Sequence, residues 1–154
     1  MRMDDDQISK YEQFARLVRT MLPTVTHDKK LMAAMKNHSG ADDATLKKGL
    51  MWGSGPLVNV AMLIPKEEGG KTITPHGGYR LNSNIIDVGI GDVGRYQTGQ
   101  DLRTTARGHV PYVTITLLHE LVHWAREVSQ TNEIPGVEDG FEFEKEAYGK
   151  VIER

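Results

Sequence analysis

The stretch LLHELVHWARE, residues 117–127, decides the fold because it combines a run of apolar residues with two histidines four positions apart. At 100° per residue, the leucines of this stretch fall on one side of a helix. His119 and His123 fall on the opposite side. The pattern therefore predicts a helix over about residues 111–129 that buries one face in a core and presents its histidines to a cleft.

Length and composition limit the kinds of protein that this chain can be. Its 154 residues, 38% hydrophobic and 26% charged, predict a single domain over residues 1–154. A net charge of -2 gives no indication of a nucleic-acid partner, and no apolar run is long enough for membrane insertion. The absence of cysteine excludes disulfides and thiolate metal ligands. The acidic start, MRMDDDQ, is unlike a standard signal peptide.

The first part of the domain, residues 1–53, is predicted to be helical. Apolar residues recur with helical spacing in three segments, which are residues 4–23, 27–36 and 42–50. The following segment, WGSGPLVNVAMLIP at residues 52–65, is predicted to form a further helix with Pro56 in its first turn. The alternative is a strand, because its valines alternate with other residues.

The remaining residues, 54–154, are predicted to form an α+β core around the histidine helix. Residues 66–108 are rich in glycine, with short β-prone runs between turn signals, which predicts a small, mostly antiparallel sheet. The best strand, SNIIDVGI at residues 83–90, is predicted to be the sheet edge that lines the cleft, with an interior position as the alternative. Residues 91–110 are predicted to be a loop, and a last helix is predicted from about residue 141 to the end. Helices segregated from a small sheet define an α+β fold.

The sequence HELVH fits the pattern H-E-x-x-H, and its spacing suits a metal site. Residues i and i+4 lie on one helix face, so His119 and His123 can direct their imidazoles at one ion. Glu120 lies slightly round the helix, where it can take a proton from a water on that ion. The alternative is an accidental match on a solvated face, but the bulky apolar flanks favour a metal site. We therefore expect zinc, with Glu120 as the catalytic residue.

A catalytic zinc usually has three protein ligands and an open position for water. The last helix, GFEFEKEAYGKVIER, offers three glutamates. Glu144 falls in the middle of its apolar arc, where a carboxylate is costly unless it is paired or bound to a cation. Glu146 and Glu142 fall on the polar side. We expect Glu144 to be the third ligand, with Glu146 and then Glu142 as alternatives.

Three further side chains are candidates for stabilising the oxyanion or binding substrate: Tyr148, Tyr112 and His109. Tyr148 lies one turn beyond Glu144, and the other two lie in and beside the predicted loop. Each also has a purely structural explanation, because Tyr148 fits the helix core and His109 fits an ordinary loop.

Together, HELVHWA, the β-prone segment before it and FEKEAYG after it resemble the zincin metallopeptidases that have a glutamate as third ligand, the gluzincin-like group. The chain is most similar to compact bacterial polymorphic-toxin and effector metallopeptidase domains, over about residues 54–150. This resemblance implies a zincin-like domain, a Zn²⁺ cofactor held by His119, His123 and Glu144, and peptide-bond hydrolysis with Glu120 as base and acid. It also implies a secreted or translocated toxin, a protein or peptide substrate and a cognate immunity protein.

Several other functions remain open from the sequence. One is a hydrolase of cell-wall peptides, and another is a zinc-stabilised interaction module without catalysis, in which Glu120 is only a surface charge. A third is a cytoplasmic zincin that cleaves a regulatory protein. A zinc-dependent endopeptidase is the leading hypothesis, because a water activated by a three-ligand zinc suits amide hydrolysis.

Overall fold

In the computed structural model, which describes residues 1–132 and 134–152 apart from the side chain of Glu68, the N-terminal part is helical. Its elements are α1 (Asp5–Lys10), α2 (Glu12–Arg16), a π-helical turn (Leu17–Met21), a 3-10 helix (Leu22–His27), α3 (Lys29–Ser39) and α4 (Asp43–Leu50). The side chain of Asp28 caps α3, and that of Asp42 caps α4. The first predicted helix is divided at Tyr11, whose φ of -124° and ψ of 56° lie outside the helical region.

A small three-stranded sheet lies beside the histidine helix. Its order is β1 (Leu57–Ala61), β5 (Ile85–Gly89), β4 (Gly77–Arg80), so that β5 is central and β4 is an edge. β1 runs parallel to β5, whereas β4 runs antiparallel to it. Two antiparallel hairpins complete the strands: β2 (Lys66–Glu68) with β3 (Lys71–Ile73), and β6 (Leu102–Thr105) with β7 (Gly108–Pro111). The expected α+β fold with mostly antiparallel strand pairs is confirmed.

Three sequence-based assignments in this region are wrong. The helix predicted over residues 52–65 is replaced by the strand β1. Val58 and Val60 are buried, their neighbours in the strand are only half-buried, and β5 supplies the pairing partner. The strand predicted at the cleft edge is the interior strand β5. The predicted loop 91–110 contains the helix α5 (Ile90–Gln97) and the β6–β7 hairpin. For residues 52–65 the alternation of the valines allowed either element, and pairing with β5 decided for the strand. The edge or interior position of a strand depends on its neighbours in the sheet, which local periodicity does not show.

The core is built on the long helix α6 (Tyr112–Val128), against which the C-terminal helix α7 (Asp139–Tyr148) packs. The backbone and side chain of Asp101 accept hydrogen bonds from the N–H groups of Tyr112 and Val113, so they satisfy the start of α6. α6 matches its predicted range closely. α7 begins two residues earlier than predicted and ends at Tyr148, before the predicted end, because the C-cap Gly149 has a φ of 85°. No helix among the described residues is long and apolar enough to cross a bilayer.

Candidate active site

The edge strand β4 lies directly across the histidine-bearing face of α6. The backbone N–H of Tyr79 donates a hydrogen bond to Glu120 Oε2, at 2.8 Å. Gly77 packs so closely that a Cβ there would lie 2.5 Å from Thr116 Cγ2 and 3.2 Å from Glu120 Cγ. Glycine therefore allows the strand to approach the helix, and this approach fixes the catalytic candidate Glu120 against the sheet edge.

Three side chains converge beside this strand: His119, His123 and Glu138. Glu138 Oε1 lies 2.6 Å from His123 Nε2 and 3.3 Å from His119 Nε2. One ligand atom from each of the three lies within 4.8 Å of the other two, and no other group of three meets this condition among the described residues. The helical spacing predicted for the two histidines therefore brings their rings together as expected, with centroids 5.2 Å apart.

The sequence analysis missed Glu138, although this residue has a clear structural role. It is the N-cap of α7, and its carboxylate accepts hydrogen bonds from the N–H groups of Gly140 and Phe141, at 3.3 and 2.5 Å. Burial raises the pKa of this carboxyl, but hydrogen bonds with His119 and His123 outweigh that effect and hold the pKa well below its usual range. An acidic residue just before a helix is a usual N-cap signal, and Glu138 could have been recognised by it. It was not, because the helix was predicted to start at residue 141.

Glu144, the residue predicted as third ligand, lies on the opposite edge of the His119 ring. Its Oε1 is 2.7 Å from His119 Nδ1, and its Oε2 accepts a hydrogen bond from the N–H of Ile152, at 2.7 Å. The cost of burying this carboxylate is therefore met by protein partners. Glu142 forms an exposed pair with Lys145, and Glu146 contacts Asn37 and His38 at the surface.

The environment of His119 favours positive charge. Burial lowers the pKa of its imidazole, but the carboxylates of Glu138, Glu144 and Glu120 outweigh burial and raise the pKa to about 9. Acidic groups thus surround this ring on both nitrogen edges. A bound divalent cation supplies positive charge to such a site in place of a proton.

A cavity of about 510 Å³, called the cleft below, opens above the three side chains. It lies between β4 and the helices α6 and α7, and its lining includes Gly77, Tyr79, Leu81 and Phe141. Its volume falls within the range of small-molecule and peptide sites. The histidine pair and Glu120 line the same space, so the potential metal ligands and the candidate base share one solvent-accessible site.

The three other candidates do not line the cleft. Tyr148 is buried against Phe143, with ring centroids 6.0 Å apart. Tyr112 is buried beneath the guanidinium of Arg103, 4.8 Å from its ring centroid. His109 lies in the β6–β7 hairpin, exposed and absent from the cleft lining. The oxyanion and substrate roles assigned to these residues from sequence receive no support from their positions.

The residues present fit a catalytic metal ion. Two imidazole nitrogens and one carboxylate oxygen are a donor set typical of three-ligand zinc sites, with the fourth position left for water. Glu144 on His119 Nδ1 is the kind of carboxylate partner that fixes the orientation of a ligating histidine. Gly140 packs on the ring of His119, where a side chain would displace it.

We expect Gly140→Ala to lower metal affinity and to destabilise the fold by about 1–3 kcal/mol. A Cβ at this position would overlap Nε2, Cδ2 and Cε1 of His119, so the ring or the start of α7 must move. Calorimetric metal titration and thermal unfolding measure both effects. Gly94→Ala in α5 is the matched control, because a Cβ there meets nothing within 4 Å. That control should be neutral or slightly stabilising; equal behaviour of the two variants would contradict the packing described.

The fold and the site together define a class. Two histidines one helical turn apart, an acid between them, a nearby carboxylate and an exposed strand edge are features of metallopeptidases. The chain belongs to the metallopeptidase toxin 3 family, whose profile matches residues 7–149. The match covers the N-terminal helices as well as the site. Comparisons with curated proteins and with solved structures give no match.

Proposed function

We propose that this toxin-family metallopeptidase is a zinc-dependent endopeptidase. His119, His123 and Glu138 would hold the zinc, and Glu120 would act as general base. The observation that carries the proposal is the convergence of three ligand atoms within 4.8 Å of one another, in a cleft that also contains Glu120. The donor set supports zinc over magnesium or calcium, which prefer sites built from oxygen ligands.

A bound zinc would polarise the scissile carbonyl and acidify a water molecule. The protein supplies the base. The Tyr79 N–H holds Glu120 through Oε2, and Oε1 accepts no hydrogen bond from the described residues, so Oε1 is available to take a proton from water. The same carboxyl can then deliver that proton to the leaving amine. Glu144 keeps the His119 ring in place by its contact with Nδ1.

The edge strand β4 offers a way to hold an extended substrate. The His76 carbonyl accepts a hydrogen bond from Gly89 N–H, at 2.8 Å, so alternation along the ladder turns Gly78 and Arg80 toward β5. Gly77 and Tyr79 consequently face away from β5. The Tyr79 N–H is bonded to Glu120. Both polar backbone groups of Gly77 and the Tyr79 carbonyl have no hydrogen-bond partner among the described residues, so these are the groups that would pair with a peptide strand.

The family's description as a toxin supports further proposals about partners and location. We propose a protein substrate in a target cell, delivery to that cell by secretion or translocation, and a cognate immunity protein in the producing cell. An immunity protein that covers the cleft would block both the metal site and the β4 edge. Inhibition of cleavage by the co-purified immunity protein would test this idea.

Metal removal tests the proposed function directly. We expect chelation to abolish cleavage of unfolded casein and one equivalent of zinc to restore it. We also expect chelation to lower the melting temperature by roughly 5–10 °C, since ligand at 100 times its Kd contributes about 2.7 kcal/mol of stability. Activity on purified muropeptides alone would identify a cell-wall peptide hydrolase. Stabilisation by zinc without cleavage of either substrate would indicate an interaction module.

A further inference from the structure

Glu127 is a carboxylate in the cleft that the proposed mechanism does not use. It lies on α6 one turn beyond His123, and it lines the cleft together with the histidines. Its Oε1 accepts hydrogen bonds from the Tyr79 hydroxyl, at 2.8 Å, and from the Asn82 N–H, at 3.0 Å. These two donors hold the side chain beside β4, half-buried and next to the strand that would pair with substrate.

The charges around the cleft leave Glu127 without a cationic partner. Arg126 also lines the cleft, but it pairs with Asp139, at 2.8 Å, and donates to backbone carbonyls. Glu138 pairs with the two histidines, and a bound zinc would balance Glu138 and Glu120. No lysine, arginine or histidine of the described residues lies within 4.0 Å of the Glu127 carboxylate. One negative charge is therefore available to a ligand.

We propose that Glu127 makes the cleft select a lysine or arginine side chain in the substrate, near the bond that is cut. Glu127 lies four positions after His123 in the helix, which is about 6 Å along the axis and about the span of two extended residues. The selected side chain therefore lies about two residues from the scissile bond. The ring of Tyr79 and the exposed Leu81 give its aliphatic stem an apolar wall.

This inference rests on the proposed peptidase function. One substitution removes the negative charge of Glu127 and keeps its hydrogen bonds to β4 and the turn after it. Glu127 also fastens the turn after β4 through Asn82, so its removal would disturb the strand. Glutamine keeps a carbonyl oxygen for the Tyr79 hydroxyl and the Asn82 N–H while removing the charge. Glu127→Gln is therefore the informative variant. Glu12→Gln is the matched control, since Glu12 is exposed on α2 and does not line the cleft.

The test is cleavage-site mapping by mass spectrometry on a chymotryptic peptide library from a bacterial lysate, in which lysine and arginine lie inside peptides. We expect wild type and Glu12→Gln to share an enrichment of basic residues at one position about two residues from the cut. In Glu127→Gln the kcat/KM ratio of a lysine peptide to its glutamine counterpart should fall about fivefold, the effect of a partly exposed ion pair of about 1 kcal/mol.

The possible outcomes separate a failure of the charge selection by Glu127 from a failure of the proposed endopeptidase function. Cleavage without basic enrichment, or an unchanged ratio in Glu127→Gln, would overturn the inference and leave the endopeptidase intact. A wild-type protein that loads zinc and cuts no peptide would overturn both. High salt provides a second measure, because screening should reduce the lysine preference of wild type and leave that of Glu127→Gln unchanged.

Discussion

Glu120→Gln should reduce the kcat for casein cleavage by about 10²- to 10⁴-fold, the range contributed by a positioned general base. Glutamine retains an oxygen that accepts the Tyr79 N–H, so the side chain stays at the β4 edge but no longer takes a proton from water. The melting temperature and zinc content should match those of wild type, because Glu120 is outside the three-ligand group.

Glu142→Gln is the control for this substitution, since it makes the same chemical change at a solvent-exposed pair with Lys145 on α7. It should keep wild-type kcat. Steady-state kinetics with metal analysis of each preparation measures the result. Substantial cleavage by zinc-loaded Glu120→Gln would show that another group acts as base, and the mechanism would have to be abandoned.

Replacing Glu138 or Glu144, the two carboxylates on opposite edges of the His119 ring, with glutamine should have very different effects on zinc affinity. Glu138→Gln removes a charged ligand, and we expect a loss on the order of 10²- to 10³-fold. This figure follows from roughly 3 kcal/mol per ligand, about a quarter of the 10–16 kcal/mol that structural zinc sites with four ligands supply. Glu144→Gln removes no zinc ligand and keeps one oxygen, which can accept from the His119 Nδ1–H but not also from the Ile152 N–H. Its loss should therefore be about tenfold, the lower end for a residue that orients a ligand.

Competition titration with a zinc-selective chelator measures this contrast, and Glu146→Gln on the surface serves as reference. In Glu138→Gln the single oxygen can still accept from the Phe141 N–H, the shorter of the two cap hydrogen bonds, so the cap of α7 is retained in part. A larger loss in Glu144→Gln than in Glu138→Gln would restore the ligand set predicted from sequence. Equal zinc affinities in all three variants would show that neither Glu138 nor Glu144 contributes to zinc binding.

The sequence was sufficient to predict those features that depend on residues close together along the chain. The helical period places His119 and His123 on one face, and the structure has that face toward a cleft. Apolar spacing likewise predicts the helical N-terminal part, and the glycine-rich, β-prone residues 66–108 add the small sheet of the α+β class. The match to the metallopeptidase toxin 3 family agrees with the predicted class, a toxin metallopeptidase domain.

Tertiary structure alone decided which strand forms the cleft edge and which carboxylate meets the histidine pair. β4 is the edge because β5 is paired on both sides, with β1 and β4, and pairing between distant segments leaves little trace in local periodicity. Glu138 and Glu144 approach different nitrogens of His119 because of where α7 begins and how it packs on α6. Burial of Glu144 was visible in the sequence, but the partner that compensates its charge depends on that packing.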